Sequence, residues 1–274
     1  MAMVTVNGVR LAYEIHGSGD IPLVIVHGSW VSRRHWDPVV PQLAERFRVI
    51  TYDRRGHGES EPPSGEGSVR EDVADLAALV EHLGLAPTWI AAQSFGASIS
   101  LRFFGERPDL LRGLVAHEPP LFSLIADDPA IRPVIEEQER VDAAVARRIA
   151  AGDHAGAAEQ FVEEVVGEGL WEQFPPEMKQ MCIENAPSYL DEVNDPDGPV
   201  FDLDWIRGCA LPVLLTFGDQ SPPLFAPVIH KVAGVLPSAE VKAFKGAGHI
   251  PHAEMPEAYV EAVTAFIRTH ERAA

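Results

Sequence analysis

The residues best suited to chemistry lie in the run Ala91-Ala92-Gln93-Ser94-Phe95-Gly96-Ala97. It follows Thr88-Trp89-Ile90, which is short, apolar and β-prone, and leads into residues 98–104, apolar at helical spacing. A strand entering a helix through small-x-Ser-x-Gly must turn very tightly, so Ala92 and Gly96 have to be small. The turn lifts the Ser94 hydroxyl out of the backbone. It leaves the oxygen at a helix N-terminus, where free N–H groups favour developing negative charge. That is the setting of a nucleophilic serine, which also needs a base for its proton and donors for an oxyanion. Among eleven histidines, His249 is the expected base. It follows Gly246-x-Gly248 in a loop after the last strand pattern, and a neutral imidazole accepts a proton near pH 7. His27 is expected to hold a loop and His57 to sit in a structural turn. His252 with Glu254 gives at most a faint metal pattern, and no metal is expected.

Alternating elements would position these groups. Residues 4–13 read as a hairpin turning at Asn7-Gly8. Residues 23–26 form a continuous apolar run, as a buried parallel strand should, and end in His27-Gly28-Ser29-Trp30. An amphipathic segment, 36–46, precedes a strand at 48–52, which ends in the turn 53–60, dense in glycine and charge. Ser68-x-x-Glu71 is a capping box opening a helix that stops at Gly84. Strand 88–93, helix 95–106 and strand 111–117 follow, the last ending in Glu118-Pro119-Pro120. From 121 to 208 the patterns are helical, at 128–151, 153–166 and 176–193. Strand 212–217, helix 225–235, strand 240–244 and helix 256–272 complete the chain. Such alternation implies an α/β fold with a parallel sheet covered on both faces. Residues 1–120 and 209–274 would form its core, and 121–208 an inserted helical cap.

Composition fits one α/β domain. The chain has 274 residues, 46% of them hydrophobic, enough for a substantial core. A net charge of −19 argues against nucleic acid or anionic membranes as partners. The two cysteines, Cys182 and Cys209, match no metal spacing and read as a reduced pair. No signal peptide or membrane span is expected, so the reading is a cytoplasmic monomer or homodimer.

The ordered set His27-Gly28, Asp53-x-Arg55-Gly56-x-Gly58-x-Ser60, Ala92-x-Ser94-x-Gly96 and Gly246-x-Gly248-His249 resembles the α/β-hydrolase superfamily. The resemblance covers essentially the whole chain, least of all the cap. It implies an α/β-hydrolase fold: a mostly parallel eight-stranded sheet flanked by helices, with an inserted helical cap. It also implies a serine hydrolase, esterase- or lactonase-like, without a cofactor. The turn 53–60 then looks structural, with an internal Asp–Arg pair; it lacks the Lys-Ser/Thr of a phosphate loop.

The acid departs from the commonest pattern of that superfamily. Most relatives place Asp three residues after the glycine ending the seventh strand. Here that glycine is Gly218, and the position holds Ser221. Glu118, ending the sixth strand, is the favoured replacement. Some relatives, including zearalenone lactonases, carry their acid there. Asp219 is the alternative, in the same loop as Ser221 but directly after Gly218. The oxyanion hole is expected from backbone N–H groups of Phe95 and of Ser29 or Gly28. Trp30, Phe95, Phe122, Trp171 and Ile250 are candidates to line an apolar substrate pocket. The expected function is hydrolysis of a small, largely apolar ester or lactone by a Ser94-His249-Glu118 triad. The alternatives are a C–C bond hydrolase, a cofactor-free perhydrolase, or a non-enzymatic ligand sensor.

Overall fold

Eight strands form one sheet, and its edge of strand C-termini gathers the candidate residues. The computed structural model describes residues 1–62 and 67–272; residues 273 and 274, the end of the expected second core segment, lie outside it. The strands are β1 (Ala2–Val6), β2 (Val9–His16), β3 (Pro22–Val26), β4 (Arg48–Tyr52), β5 (Thr88–Gln93), β6 (Leu111–His117), β7 (Val213–Gly218) and β8 (Ala239–Phe244). Their spatial order is β1-β2-β4-β3-β5-β6-β7-β8. β2 is antiparallel to both neighbours, and the remaining pairs are parallel. The first hairpin turns at Asn7-Gly8, with φ of 47° and 82°, the left-handed pair that a two-residue type I′ turn requires.

Helices cover both faces. They are α1 (Val40–Ala44), α2 (Val69–His82) and α3 (Phe95–Glu106) in the first part of the chain. Next come α4 (Arg132–Ala150), α5 (His154–Phe161), α6 (Leu170–Gln173), α7 (Pro176–Asn185) and α8 (Ser188–Asn194), all between β6 and β7. Last are α9 (Phe225–Ala233), α10 (Pro251–Glu254) and α11 (Pro256–Glu271). Successive strand residues point to opposite faces, so β3 is buried along its whole length. Its Val24 and Val26 join the apolar layer under α2, α3 and α9, while Leu23 and Ile25 join the layer under α1 and α11. Ser68 caps α2 as expected, its Oγ accepting the Glu71 N–H at 3.3 Å, but the Glu71 carboxylate meets the Ser68 hydroxyl and Arg55 rather than the Ser68 N–H that a full capping box would engage. Among the described residues no helix is long and apolar enough to cross a membrane.

The amphipathic segment 36–46 begins at the end of a 3-10 turn, Arg33–Trp36, and contains the short α1. Pro38 removes a backbone donor between the two, and Pro41 sits in the first turn of α1, where its missing N–H is tolerated. The helical pattern at 176–193, which Pro187 interrupts in the sequence, forms two helices, α7 and α8, on either side of that proline. The turn after β4 differs from the expectation, for it has no internal Asp–Arg pair. Asp53 faces the loop after β3 and bonds Arg33, through both its side chain and its N–H. Arg54 and Arg55 reach instead to Asp72 and Asp75 on α2.

The helices between β6 and β7 have an apolar core of their own. Val145, Ile149, Ala157, Trp171, Cys182 and Tyr189 pack there around Trp30 and Val31 from the loop after β3. Polar bonds fasten α7 and α8 onto the turn after β4. The Gly58 N–H donates to Asn185 Oδ1 at 2.8 Å, and the Ser188 hydroxyl to His57 Nε2 at 2.8 Å.

The start of α3 runs hard against the end of β3. A Cβ on Gly96 would lie 2.6 Å from the Val26 carbonyl oxygen and against that of His27. These are backbone atoms of a buried strand and cannot yield cheaply. Gly96→Ala is therefore expected to lose roughly 1–3 kcal/mol, lowering the melting temperature by several degrees in a thermal circular-dichroism melt. Gly234→Ala, where the nearest atoms would be 3.4 Å away, should melt like the parent protein.

Candidate active site

Register brings three chain segments to one point. Gln93 pairs with His117 across β5 and β6, so Ser94 and Glu118 each stand one residue beyond those strands. The loop after β8 carries His249. Ser94 has φ 56° and ψ −129° and begins α3, a strained conformation for a residue with a Cβ. Its N–H donates to the His117 carbonyl at 2.8 Å. Gln93 Nε2 donates to the His249 carbonyl at 3.1 Å, tying the strand before Ser94 to the histidine loop. Glu254 fastens that loop from the other side, accepting the Gly248 and Ile250 N–H groups at 2.7 and 3.1 Å.

His249 Nδ1 lies 2.5 Å from Glu118 Oε2, and Phe225 stacks on its ring at 4.7 Å. Glu118 has no exposed surface. Its other oxygen accepts the Gly218 N–H at 2.7 Å. Burial alone would push this carboxyl up, but the His117 and His249 imidazoles outweigh burial and hold it well below the usual carboxylate range. A group that stays ionised fixes the proton on His249 Nδ1, which leaves Nε2 as a free acceptor. His117 is pushed down by burial; it shares a 2.9 Å hydrogen bond with Thr216 Oγ1. Asp219 is elsewhere. It is exposed, and its Oδ1 accepts the Gly246 N–H at 2.7 Å. The donor atoms of His117, Glu118 and His249 lie within 4.8 Å of one another. A cation there would have to displace the bond between His249 and Glu118. His252 is not part of that group; it is buried against Trp36.

The loop after β3 approaches Ser94 closely. A Cβ on Gly28 would lie 2.9 Å from Ser94 Cβ, so this position needs glycine. His27 holds the loop: its Nδ1–H donates to the Gly28 carbonyl at 2.8 Å, and its Nε2 accepts the Arg54 N–H at 2.9 Å. Burial pushes His27 far down, so the ring is neutral and able to play both parts. Phe95 opens α3, so its N–H has no acceptor within the helix. The Ser29 hydroxyl donates to Glu192 of α8.

Ser94 and His249 share a cleft of about 470 Å³, including its open mouth. Trp30 and Ile250 line it, as expected. Trp171 and Phe122 do not. Trp171 turns into the core between α4 and α8 under Lys179, and Phe122 packs at 5.5 Å on Phe225, behind His249. The wall there is made by Phe161, Val162, Val166, Phe174, Met178 and Cys182. Burial pushes the Cys182 thiol up to about 12, so it stays protonated. Sequence patterns did not single out Gln93, His117, Phe225 or Glu192. Their roles depend on contacts across 24 to 163 positions of chain, and no local pattern marks them.

Comparison with known proteins follows the same outline. The profile of the alpha/beta hydrolase family matches residues 23–262. Over 266 residues the chain is 29% identical to the dihydrolipoyllysine-residue acetyltransferase component of an acetoin cleaving system from Pseudomonas putida, covering 94% of this chain and 66% of that protein. A 109-residue stretch is 38% identical to a soluble epoxide hydrolase of Corynebacterium sp., covering 40% of this chain and 38% of that one. The chain thus spans less than two thirds of the length of either relative. Among solved structures, a thermophilic esterase from Thermogutta terrifontis is 25% identical and superposes with a TM-score of 0.77 over 98% of this chain and 97% of that one. With the profile running from β3 through β8 and including the Ser94 turn and the His249 loop, the chain belongs to the alpha/beta hydrolase family.

Proposed function

We propose that the protein is a serine hydrolase cleaving a carboxylic ester or lactone of a neutral, largely apolar small molecule. The observation that carries this reading is the 2.5 Å bond between His249 Nδ1 and the buried Glu118, beside a cleft that Ser94 and His249 share. The likeness to an esterase at 25% identity supports it.

The chemistry is acyl transfer. His249 Nε2 takes the Ser94 proton as Oγ attacks the substrate carbonyl carbon. The carbonyl oxygen becomes an oxyanion, held by the N–H groups of Phe95 and of Ser29 or Gly28. As the C–O bond to the leaving group breaks, the imidazolium gives its proton to the departing alkoxide. Water then repeats the sequence on the acyl-enzyme, releasing an acid and restoring Ser94. In a lactone both products stay joined as one hydroxy acid. Glu118 orients the ring and stabilises the imidazolium without taking the proton. Among the described residues no Lys, Arg, Asp or Glu lines the cleft, which favours an uncharged acyl group.

A fluorophosphonate probe should label the parent protein and not Ser94→Ala. Hydrolysis of p-nitrophenyl butyrate should fall at least about 10³-fold in Ser94→Ala and His249→Ala. Glu118→Ala should cost on the order of 10²–10⁴-fold, and Asp219→Ala less than about twofold; the opposite ranking of the two acids would refute the assignment.

The same carboxylate ties stability to pH. Its folded pKa is depressed, so its contribution is complete above the ordinary carboxylate value and is lost as pH falls below it. Urea unfolding of the parent protein should weaken between about pH 5 and pH 3. Glu118→Gln should start less stable and show a shallower decline over that window.

A further inference from the structure

One side chain on the cleft wall has no part in the chemistry above. His35, in the 3-10 turn Arg33–Trp36, lines the cleft. Its Nδ1 is enclosed and meets no partner, so Nε2 is the nitrogen that reaches the cleft. Behind it lies His252, wholly buried, edge-on at 4.4 Å and stacked on Trp36 at 4.2 Å. Neither ring nitrogen of His252 has a partner. The protein side therefore offers His35 nothing to bond, and the cleft is where its polar edge is open.

The position of the proton follows. Burial, then the nearby His249, push His35 down to about 4, so the ring is neutral near pH 7. A neutral imidazole has one N–H. On Nδ1 that N–H would be enclosed with no acceptor, whereas on Nε2 it can find one in the cleft. The proton thus belongs on Nε2, and His35 presents an uncharged donor to the cleft. Apart from the Ser94 hydroxyl and the weakly donating Cys182 thiol, the other side-chain donors named on that wall are occupied or enclosed. Gln93 Nε2 is bonded to the His249 carbonyl, the Ser29 hydroxyl to Glu192, and Trp30 Nε1 is buried.

We propose that His35 is a specificity residue: the substrate carries, besides its ester or lactone group, a neutral oxygen acceptor that takes the His35 Nε2–H. An ether, keto or hydroxyl oxygen fits. A carboxylate does not, because the donor is uncharged and, among the described residues, no cationic side chain lines the cleft. This rests on the hydrolase reading for the scissile group, while the donor itself can be tested without turnover.

Two measurements decide it. Long-range ¹H–¹⁵N NMR of the parent protein should show His35 neutral and protonated on Nε2 at pH 7. A ring protonated on Nδ1, or charged, overturns the proposal whatever the enzyme hydrolyses. The second measurement uses matched p-nitrophenyl esters in which one CH₂ of the acyl chain is replaced by oxygen: methoxyacetate with butyrate, 3-methoxypropanoate with pentanoate, and 4-methoxybutanoate with hexanoate. The ratio of kcat/KM, ether over alkyl, should fall about tenfold for at least one pair in His35→Leu and His35→Phe. It should recover in part in His35→Gln, which keeps a donor. Intrinsic activation by the ether oxygen is the same for every variant and cancels. Fluorophosphonate labelling of Ser94 in each variant marks folded, competent protein. Unchanged ratios in labelled variants overturn the proposal. A parent protein that is neither labelled nor active would sink the hydrolase reading instead, leaving the tautomer to decide the role of His35.

Discussion

A carboxylate with no exposed surface must be surrounded by donors, or it takes up a proton. Glu118 meets this constraint with parts from three strands. It stands one residue past β6; Gly218, the last residue of β7, donates to one oxygen, and His249 from the loop after β8 bonds the other. Gly218 can serve because it has no side chain: a Cβ there would strike the carbonyls of Ala247 and Gly248. One buried charge thus fixes the spacing of β6, β7 and the histidine loop. It does so at the sheet edge where parallel α/β folds place their ligands.

A second buried charge couples the helices between β6 and β7 to that edge. Arg54 bonds Asp72 of α2 at 2.9 Å, Glu192 of α8 at 3.0 Å and the Gly28 carbonyl at 3.2 Å. Its guanidinium also lies over the Phe95 ring at 4.9 Å. Burial pushes the Glu192 carboxyl up, against the pull of Arg54 and the Ser29 hydroxyl. Stripping one partner from such a buried pair leaves a charge uncompensated and typically costs about 3–5 kcal/mol. Helix α8, the glycine loop beside Ser94 and the first residue of α3 therefore share one cation. Lifting α8 would disturb both candidate oxyanion donors.

The sequence showed what is local and hid what depends on reach. Asn7-Gly8, the apolar run of β3, the Ser68 cap and the small residues around Ser94 each act within a few positions, and each could be read directly. The choice between Glu118 and Asp219 could not. Both follow strand ends, and which one meets the imidazole depends on where each side chain points in three dimensions. Asp219 turns back to its own loop at Gly246. The cleft wall was least legible. Trp171 and Phe174 are three residues apart on a short helical turn, yet Phe174 lines the cleft and Trp171 fills the core beside it. Composition makes either aromatic suitable, and only the packing of α4 to α8 separates them. The arginines after β4 show the same limit. Their partners on α2 lie 18 and 20 positions ahead, so the nearer Asp53 was the natural but wrong pairing.

Backbone strain singles out the same edge without reference to any side-chain chemistry. Among the described residues, four that are not glycine have positive φ: Asn7, Trp30, Ser94 and Glu118. Asn7 sits in a hairpin turn that favours it. The other three follow β3, β5 and β6, adjacent strands of the sheet. Each such conformation costs roughly 1–3 kcal/mol and persists where its surroundings fix it. Trp30 is held by stacking on Phe161 at 4.9 Å and Tyr189 at 5.0 Å. Ser94 is held by the contact of Gly96 with β3, and Glu118 by its donors. Pro119 disfavours the helical backbone before it, so nothing in the sequence foretold the turn at Glu118. Three independent restraints therefore maintain three strained residues around one cleft, each from a different layer of the protein.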